Sequence, residues 1–279
     1  MMVGIRIGTS GWSYDDWLGP VYPKGLKKSK MLEFYIHLFK TCELNTSFYH
    51  IPRMHVIASW TRKVPDDFTF SVKIFKGITH DAKLDPRKYG TLLEQYMNRF
   101  KPLDSKITAY LLQLPPSFSK DRGEHFRYFR AFLKKWIQKY PPEKLVVEFR
   151  HLSWMDDEIF QFLKEEGIAY CIVVEPLLPP VLEITNPNLS YIRFHGFGES
   201  IWFDYLFEHE EIREWTEKVK EVAKKAANVN IYFNNHFSGY AVQNALELMD
   251  FLDIPHPSLQ RLRSQHNPQK GQSRLDTFL

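Results

Sequence analysis

Cysteine is scarce in this chain: among 279 residues only Cys42 and Cys171 occur. A disulfide scaffold and a four-cysteine zinc site are thereby excluded. No uninterrupted apolar run approaches the ~18 residues that would span a bilayer. Met1 to Trp12 enters a strand-like run with no charged-then-apolar leader. Excess charge is small as well. Lys and Arg number 37 against 33 Asp and Glu, a net +4 with no dense basic block, which permits phosphate contact without demanding it. What the chain has in quantity is apolar and aromatic side chains, 44% and 15%, too many for a disordered, solvated polymer. The expectation is a soluble, cytoplasmic protein that makes no membrane contact. One large core is possible, since barrels commonly reach ~250 residues as a single domain.

Short β-branched or apolar runs alternate with longer amphipathic ones. Strands are expected at 5–9, 42–46, 68–73, 107–112, 145–149, 169–174, 189–195 and 230–234, eight in all. Helical periodicity falls near 31–39, 55–63, 87–100, 125–140, 159–166, 212–226 and 240–252. This alternation predicts an α/β protein with a parallel sheet covered by helices, and eight strands favour a (β/α)8 TIM barrel over an open doubly wound sheet. The sixth crossover, 176–187, is short and proline-rich, so no proper helix is expected there. The barrel is assigned to 1–252, a polar linker to 253–271 and a terminal peptide to 272–279.

Catalytic groups of such barrels stand at the C-terminal ends of strands. Here those ends carry Ser10, Glu43 with Asn45, Lys73, Gln113, Glu148 with Arg150, Glu175, Arg193 with His195, and Asn234 with Asn235. Strand side chains alternate faces, so Glu43 and Asn45, Glu148 and Arg150, and Arg193 and His195 point the same way, while Leu44, Phe149 and Phe194 face the helices. One polar strand end means little, because rims are wet. Eight together predict a shared polar pocket.

The same residues carry a family likeness. Gly8-Thr9-Ser10-Gly11-Trp12-Ser13-Tyr14, Glu43-Leu44-Asn45-Thr46-Ser47-Phe48-Tyr49, Phe70-Ser71-Val72-Lys73 and Gln113-Leu114-Pro115-Pro116-Ser117 resemble the YecE-like family, domain of unknown function seventy-two. Glu148-Phe149-Arg150-His151, Arg193-Phe194-His195-Gly196 and Phe233-Asn234-Asn235 continue the resemblance in order. Where that pattern leads one to expect an aspartate after the sixth strand, Glu175 stands instead. The resemblance implies a TIM barrel similar in shape to the endonuclease IV and xylose isomerase group. It supplies no reaction.

Glu148, Glu43 and Glu175 are candidates for acid–base work, and His195 is the side chain expected to exchange a proton near neutrality. Glu148, His195 and Glu43 are taken as the catalytic set. Ser10, Trp12, Tyr14, Asn45, Tyr49, Lys73, Gln113, Arg150, Arg193, Asn234 and Asn235 are taken as substrate-binding. The competing reading is a buried Glu148–Arg150 or Glu148–Arg193 ion pair that only fixes the barrel mouth. If Glu148 is catalytic, Glu148→Gln is expected to stop turnover and leave the fold intact. A divalent metal cofactor remains open: Glu43, Glu148, His195 and His236 are competent ligands, yet no helix pairs histidines at metal-binding spacing. Trp12, Tyr14, Trp17, Phe48, Tyr49, Trp154, Trp202, Phe203 and Tyr205 either stack a planar ligand such as a base or sugar or cap the core.

The last residues read Gln272-Ser273-Arg274-Leu275-Asp276-Thr277-Phe278-Leu279. This resembles the peptide box by which archaeal and eukaryotic DNA enzymes bind the sliding clamp, proliferating cell nuclear antigen. One helical turn would bring Leu275, Phe278 and Leu279 to one side as an apolar plug, with Gln272 beside it. The alternative is an ordinary C-terminal segment docked on its own barrel. A clamp tether suits an enzyme acting on DNA, so the expected function is a repair-associated or replication-associated hydrolase of phosphodiesters or damaged bases. The other classes are a small-molecule barrel enzyme with an unrelated tail and a non-catalytic DNA-binding or clamp-regulating module.

Overall fold

Eight parallel strands follow one another around a ring in the computed structural model, which describes residues 4–266. They are β1 (Gly4–Thr9), β2 (Thr41–Leu44), β3 (Thr69–Lys73), β4 (Ile107–Gln113), β5 (Leu145–Glu148), β6 (Ala169–Val174), β7 (Ser190–Phe194) and β8 (Asn228–Phe233). Each pairs in parallel with its neighbour in sequence from β2 through β8, and β8 pairs with β1. The β1–β2 seam is held by a single parallel bridge, Ser10 to Glu43, and by the Gly11 amide donating to the Glu43 carbonyl at 2.8 Å. Gly8 makes the close approach possible, since a Cβ there would lie 2.3 Å from the Thr41 carbonyl oxygen. The ring is the expected (β/α)8 barrel.

The connecting helices are α1 (Met31–Tyr35), α2 (Thr46–Tyr49), α3 (Met54–Lys63), α4 (Pro86–Tyr89), α5 (Leu92–Phe100), α6 (Gly123–Lys139), α7 (Asp157–Glu165), α8 (His209–Ala223), α9 (Tyr240–Phe251) and α10 (Leu259–Gln265). The single helix expected over 87–100 is divided because Gly90 takes φ +49°, outside helical space. No helix forms between β6 and β7. Thr185 and Asn186 fasten that crossover instead: Thr185 Oγ1 donates to the Ile168 carbonyl at 2.7 Å and Asn186 Nδ2 to the Gly167 carbonyl at 2.9 Å. None of the described helices is long and apolar enough to cross a membrane.

Both faces of a parallel sheet are buried, and each has its own core. Leu44, Phe149 and Phe194 pack outward under the helices, as alternation requires, with Phe194 stacked on Phe233 at 4.4 Å. Ala109, Leu111, Val146, Cys171, Val173, Tyr191 and Tyr232 fill the barrel interior. The two interior tyrosines find partners there, Tyr232 with Thr41 at 2.7 Å and Tyr191 with Ser71 at 2.6 Å. This plug closes the floor on which the polar mouth rests.

The stretch expected to be a linker from 253 onward holds α10. Leu262 is buried, and Arg263 Nη1 donates to the Pro20 carbonyl at 3.3 Å. His266 packs edge-on to Phe34, 5.4 Å between centroids. Ser258 caps the helix, its side chain accepting from the Arg261 amide. The clamp-binding peptide with Gln272, Leu275, Phe278 and Leu279 lies outside the described residues.

Candidate functional site: a charged barrel mouth beside an aromatic pocket

Alternation from the interior plug upward brings Ser10, Glu43, Lys73, Gln113, Glu148, Arg193 and their neighbours two residues on to the C-terminal mouth. Arg193 is the hub. Its Nε and Nη2 grip Glu43 at 2.9 and 2.6 Å, a two-pronged pair, and its Nη1 donates to Glu148 Oε2 at 2.6 Å. Glu43 also accepts from Ser10 Oγ at 2.5 Å and from the Tyr191 hydroxyl at 2.7 Å. Arg150 forms the second bridge, Nε to Glu148 and Nη1 to Glu175. All five charged groups are at least nine-tenths buried. The competing reading of Glu148 as an ion-paired anchor thus describes its contacts with both arginines.

His195 completes this network. Its Nε2 receives Arg150 Nη2 at 2.7 Å and faces Arg193 Nη1 at 3.1 Å. Burial first, and then both guanidiniums, drive the imidazole well below its ordinary value. It is neutral at physiological pH, and the expectation that it exchanges a proton near neutrality gives way. With Nε2 facing donors, Nδ1 carries the proton. The Asn234 amide lies 3.1 Å from Nδ1 and 3.2 Å from the Asn45 amide. Turning both amides lets Asn234 accept from His195 and donate to Asn45 Oδ1, an oxygen otherwise without a partner among the described residues.

Two carboxylates, Glu43 and Glu148, balance the two guanidiniums. Burial would raise the Glu148 carboxyl, but Arg150 and Arg193 hold it well below the usual range. It is a fixed anion. The groups left over are Glu175 and Lys73. Burial raises the Glu175 carboxyl against the pull of Arg150, and its Oε1 is buried with no partner among the described residues. Burial, with Arg193 and Arg150 nearby, pulls the Lys73 ammonium down to about 7. Burial and charge thus draw Lys73 and Glu175 toward neutrality and Glu148 and His195 away from it. Among the described residues no three His, Cys, Asp or Glu side chains converge as metal ligands.

Beside this mouth lies a pocket of about 430 Å³ lined by Trp12, Tyr14, Asn45, Tyr49, Trp60 and His236, with Lys28 and Lys63 at its edge. Trp12 meets Trp60 edge-on at 5.6 Å, and Tyr14 stacks on His236 at 4.6 Å with planes 8° apart. Gly11, at φ +88°, turns the chain so that the Tyr14 hydroxyl donates to the Ser10 carbonyl at 2.5 Å. Four residues expected to bind substrate, Trp12, Tyr14, Asn45 and Tyr49, share this pocket. Trp60 escaped sequence reasoning because one tryptophan on an amphipathic helix reads as core. Lys28 and Lys63 carry no motif.

The other expected residues divide between the mouth and its surroundings. Asn235 turns toward the α9 side, donating to the Tyr205 carbonyl at 2.8 Å and to Asn244 Oδ1 at 2.9 Å, so it braces a loop rather than facing the mouth. Ser10 is buried under Glu43. Trp154 and Trp17 are fully buried, Trp154 stacked on Phe149 and Phe118. His151 accepts from the Ser153 amide at 3.2 Å as a local cap. Gln113 stands opposite Glu148 in register, with Oε1 buried and without a partner among the described residues.

Fold and site define a TIM-barrel protein with an arginine–glutamate mouth flanked by an aromatic pocket. The chain belongs to the family described as protein of unknown function DUF72, whose model matches residues 6–271. It is 27% identical to UPF0759 protein YunF of Bacillus subtilis, over 91% of this chain and 97% of that one. It is 34% identical to UPF0759 protein YecE of Escherichia coli over 41% of this chain and 39% of that one. The crystal structure of a DUF72 family protein from Thermotoga maritima superposes with TM-score 0.80 at 33% identity, covering 90% of this chain and 99% of that chain. One from Enterococcus faecalis superposes with TM-score 0.76 at 26% identity, covering 91% and 99%.

Proposed function

We propose that this protein is an enzyme that acts on nucleic acid, holding one nucleotide unit in the aromatic pocket at the barrel mouth. The observation that carries this reading is the pocket itself: Trp12, Trp60, Tyr14 and His236 supply ring faces and edges, and Lys28 and Lys63 supply cations beside them. Rings bind a base by stacking and lysines meet its phosphate. The chemistry favours a damaged base or sugar over phosphodiester hydrolysis, because Glu43 and Glu148 are already neutralised by guanidiniums and have little oxygen to offer a metal.

The test is a fluorescence titration with nucleoside monophosphates and single-stranded oligonucleotides, followed by an activity screen on damaged, flapped and single-stranded DNA with and without divalent metal. Trp12→Ala is expected to weaken binding roughly tenfold, since one stacked base contributes ~1–3 kcal/mol. Absence of binding by any nucleotide would favour a small-molecule barrel enzyme. Binding without turnover would favour a non-catalytic DNA-binding module.

A second reading concerns location and rests on the Gln272, Leu275, Phe278 and Leu279 pattern. We infer that this segment tethers the protein to the sliding clamp and so concentrates it at DNA. Calorimetric titration of a peptide of residues 270–279 against the clamp of the same organism checks it. Replacing Phe278 and Leu279 by Ala is expected to lower affinity more than tenfold, as each buried anchor contributes roughly 1.5–3 kcal/mol.

A further inference from the structure

Of the two groups that the ion-pair network leaves over at the mouth, Lys73 is the amine. Its strand is pinned, because the Lys73 carbonyl accepts from Ser47 Oγ at 2.7 Å and from the Tyr96 hydroxyl at 2.8 Å. Ser71, two residues back, bonds the interior Tyr191, so the Lys73 side chain also points into the barrel mouth. The residue is 8% exposed, and its Nζ lies 4.0 Å from the centre of the Phe48 ring. Among the described residues no carboxylate stands within ion-pair distance of it and no acceptor within hydrogen-bond distance. Arg193 from β7, Arg150 and Glu148 from the β5 end, Glu43 from β2 and His80 are the charged or titratable groups around it. A buried cation with only a ring for a neighbour is costly, and such desolvated lysines are the ones that serve as nucleophiles.

We propose that Lys73 is an imine-forming nucleophile whose substrate is the aldehyde of an open-chain sugar. The hydroxyls of such a sugar fit the partnerless acceptors of the same rim, Gln113 Oε1 and Glu175 Oε1. Gln113 lies two residues beyond Leu111, the residue that pairs with Lys73 in register, on the adjacent strand. In the reaction the amine lone pair forms a bond to the carbonyl carbon and the π pair moves to oxygen. The C–O bond then breaks, the nitrogen pair closes C=N, and water departs. Of the three protons of the ammonium, two leave with the water and one stays on the iminium nitrogen. The aldehyde has two possible sources, a free sugar phosphate or the abasic site of a DNA strand. The second rests on the nucleic-acid reading above; the lysine chemistry does not.

The experiment is reductive trapping. The full-length protein is incubated with sodium cyanoborohydride and either 2-deoxyribose 5-phosphate or a duplex oligonucleotide carrying one abasic site, then measured by intact mass and peptide mapping. One adduct at Lys73 is expected, with trapping that rises with pH and levels above about 7. Lys73→Met and Lys73→Arg should each lower the rate at least tenfold while melting cooperatively. If a variant fails to fold, mapping of the wild-type adduct decides alone. No adduct with either probe, or an adduct spread over surface lysines and unchanged in both variants, overturns the proposal. Trapping of the free sugar without binding or trapping of the oligonucleotide supports the lysine and overturns the nucleic-acid reading. Oligonucleotide binding with no trapping of either probe does the reverse.

Discussion

Glu148 shows how burial changes the meaning of a residue. Read in sequence, Glu148→Gln is a near-isosteric change that leaves the fold alone. In the structure the carboxylate accepts from Arg150 and Arg193 at once, and the amide would leave two buried guanidiniums facing one remaining full carboxylate partner each. Breaking a buried pair by removing one charge costs about 3–5 kcal/mol. Urea unfolding of Glu148→Gln should therefore show a loss of that order; an unchanged midpoint would mean that the network is not a structural anchor. Lys73 is expected to behave in the opposite sense. Its folded value of about 7 lies below its ordinary 10.5, so between those pH values the unfolded chain binds more protons than the folded one. Stability contributed through Lys73 then rises with pH across that window. Below it, both states are protonated and the burial cost is present in full. Lys73→Met should accordingly be more stable than the parent at pH 7, and the advantage should shrink toward pH 10.5, as followed by thermal melts at a series of pH values.

Among the elements, strands were the most legible, and the reason is the barrel. A parallel strand buried on both faces must be a short apolar run, and its end is marked by the first polar side chain that reaches the mouth. β6 matches its expected span of 169–174, and the other strands agree within a few residues. Helix interruptions were less visible, because Gly90 interrupts by conformation and not by polarity. α10 was missed for a different reason: two leucines, Leu259 and Leu262, among Gln260, Arg261, Arg263 and Ser264 are too few to mark an apolar face in a polar stretch. It docks through Leu262, with Leu259 half-buried against the same core, and through contacts of Arg263 and His266 that polarity alone does not announce. Leu262→Ala should cost about 2 kcal/mol, the low end for a buried leucine, because the site lies at the edge of the core. Denaturant unfolding checks this, and a change near zero would restore the linker expected for that segment.

At the scale of the whole molecule, the position of the mouth was legible and its division of labour was not. Counting polar strand ends brings Glu43, Glu148, Arg193 and His195 together, since alternation and topology leave them nowhere else to go. Which of them keeps a usable proton depends on how three carboxyl groups, two guanidiniums and one amine share a dry space, and no local spacing encodes that. The pocket depends likewise on Trp60 of α3 meeting Trp12 of the β1 turn, a contact between segments far apart in sequence. A net +4 without a basic block is inconsistent with a long electrostatic track, so a bound strand should be held by few phosphate contacts and mostly by rings. For single strands each neutralised phosphate adds ~0.7 to the slope of log affinity against log salt. If Lys28 and Lys63 supply two such contacts, changing both to Ala should flatten that slope by roughly 1.4, whereas Trp12→Ala should lower affinity at every salt concentration and leave the slope alone. Titrations of a short single-stranded oligonucleotide from 50 to 200 mM salt, roughly the range over which counterion release is readily resolved, separate the two effects. A slope unchanged in the double lysine variant would place the phosphates elsewhere on the mouth, since Lys28 and Lys63 already pair with Asp15 and Glu33, whereas Lys73 has no carboxylate partner among the described residues.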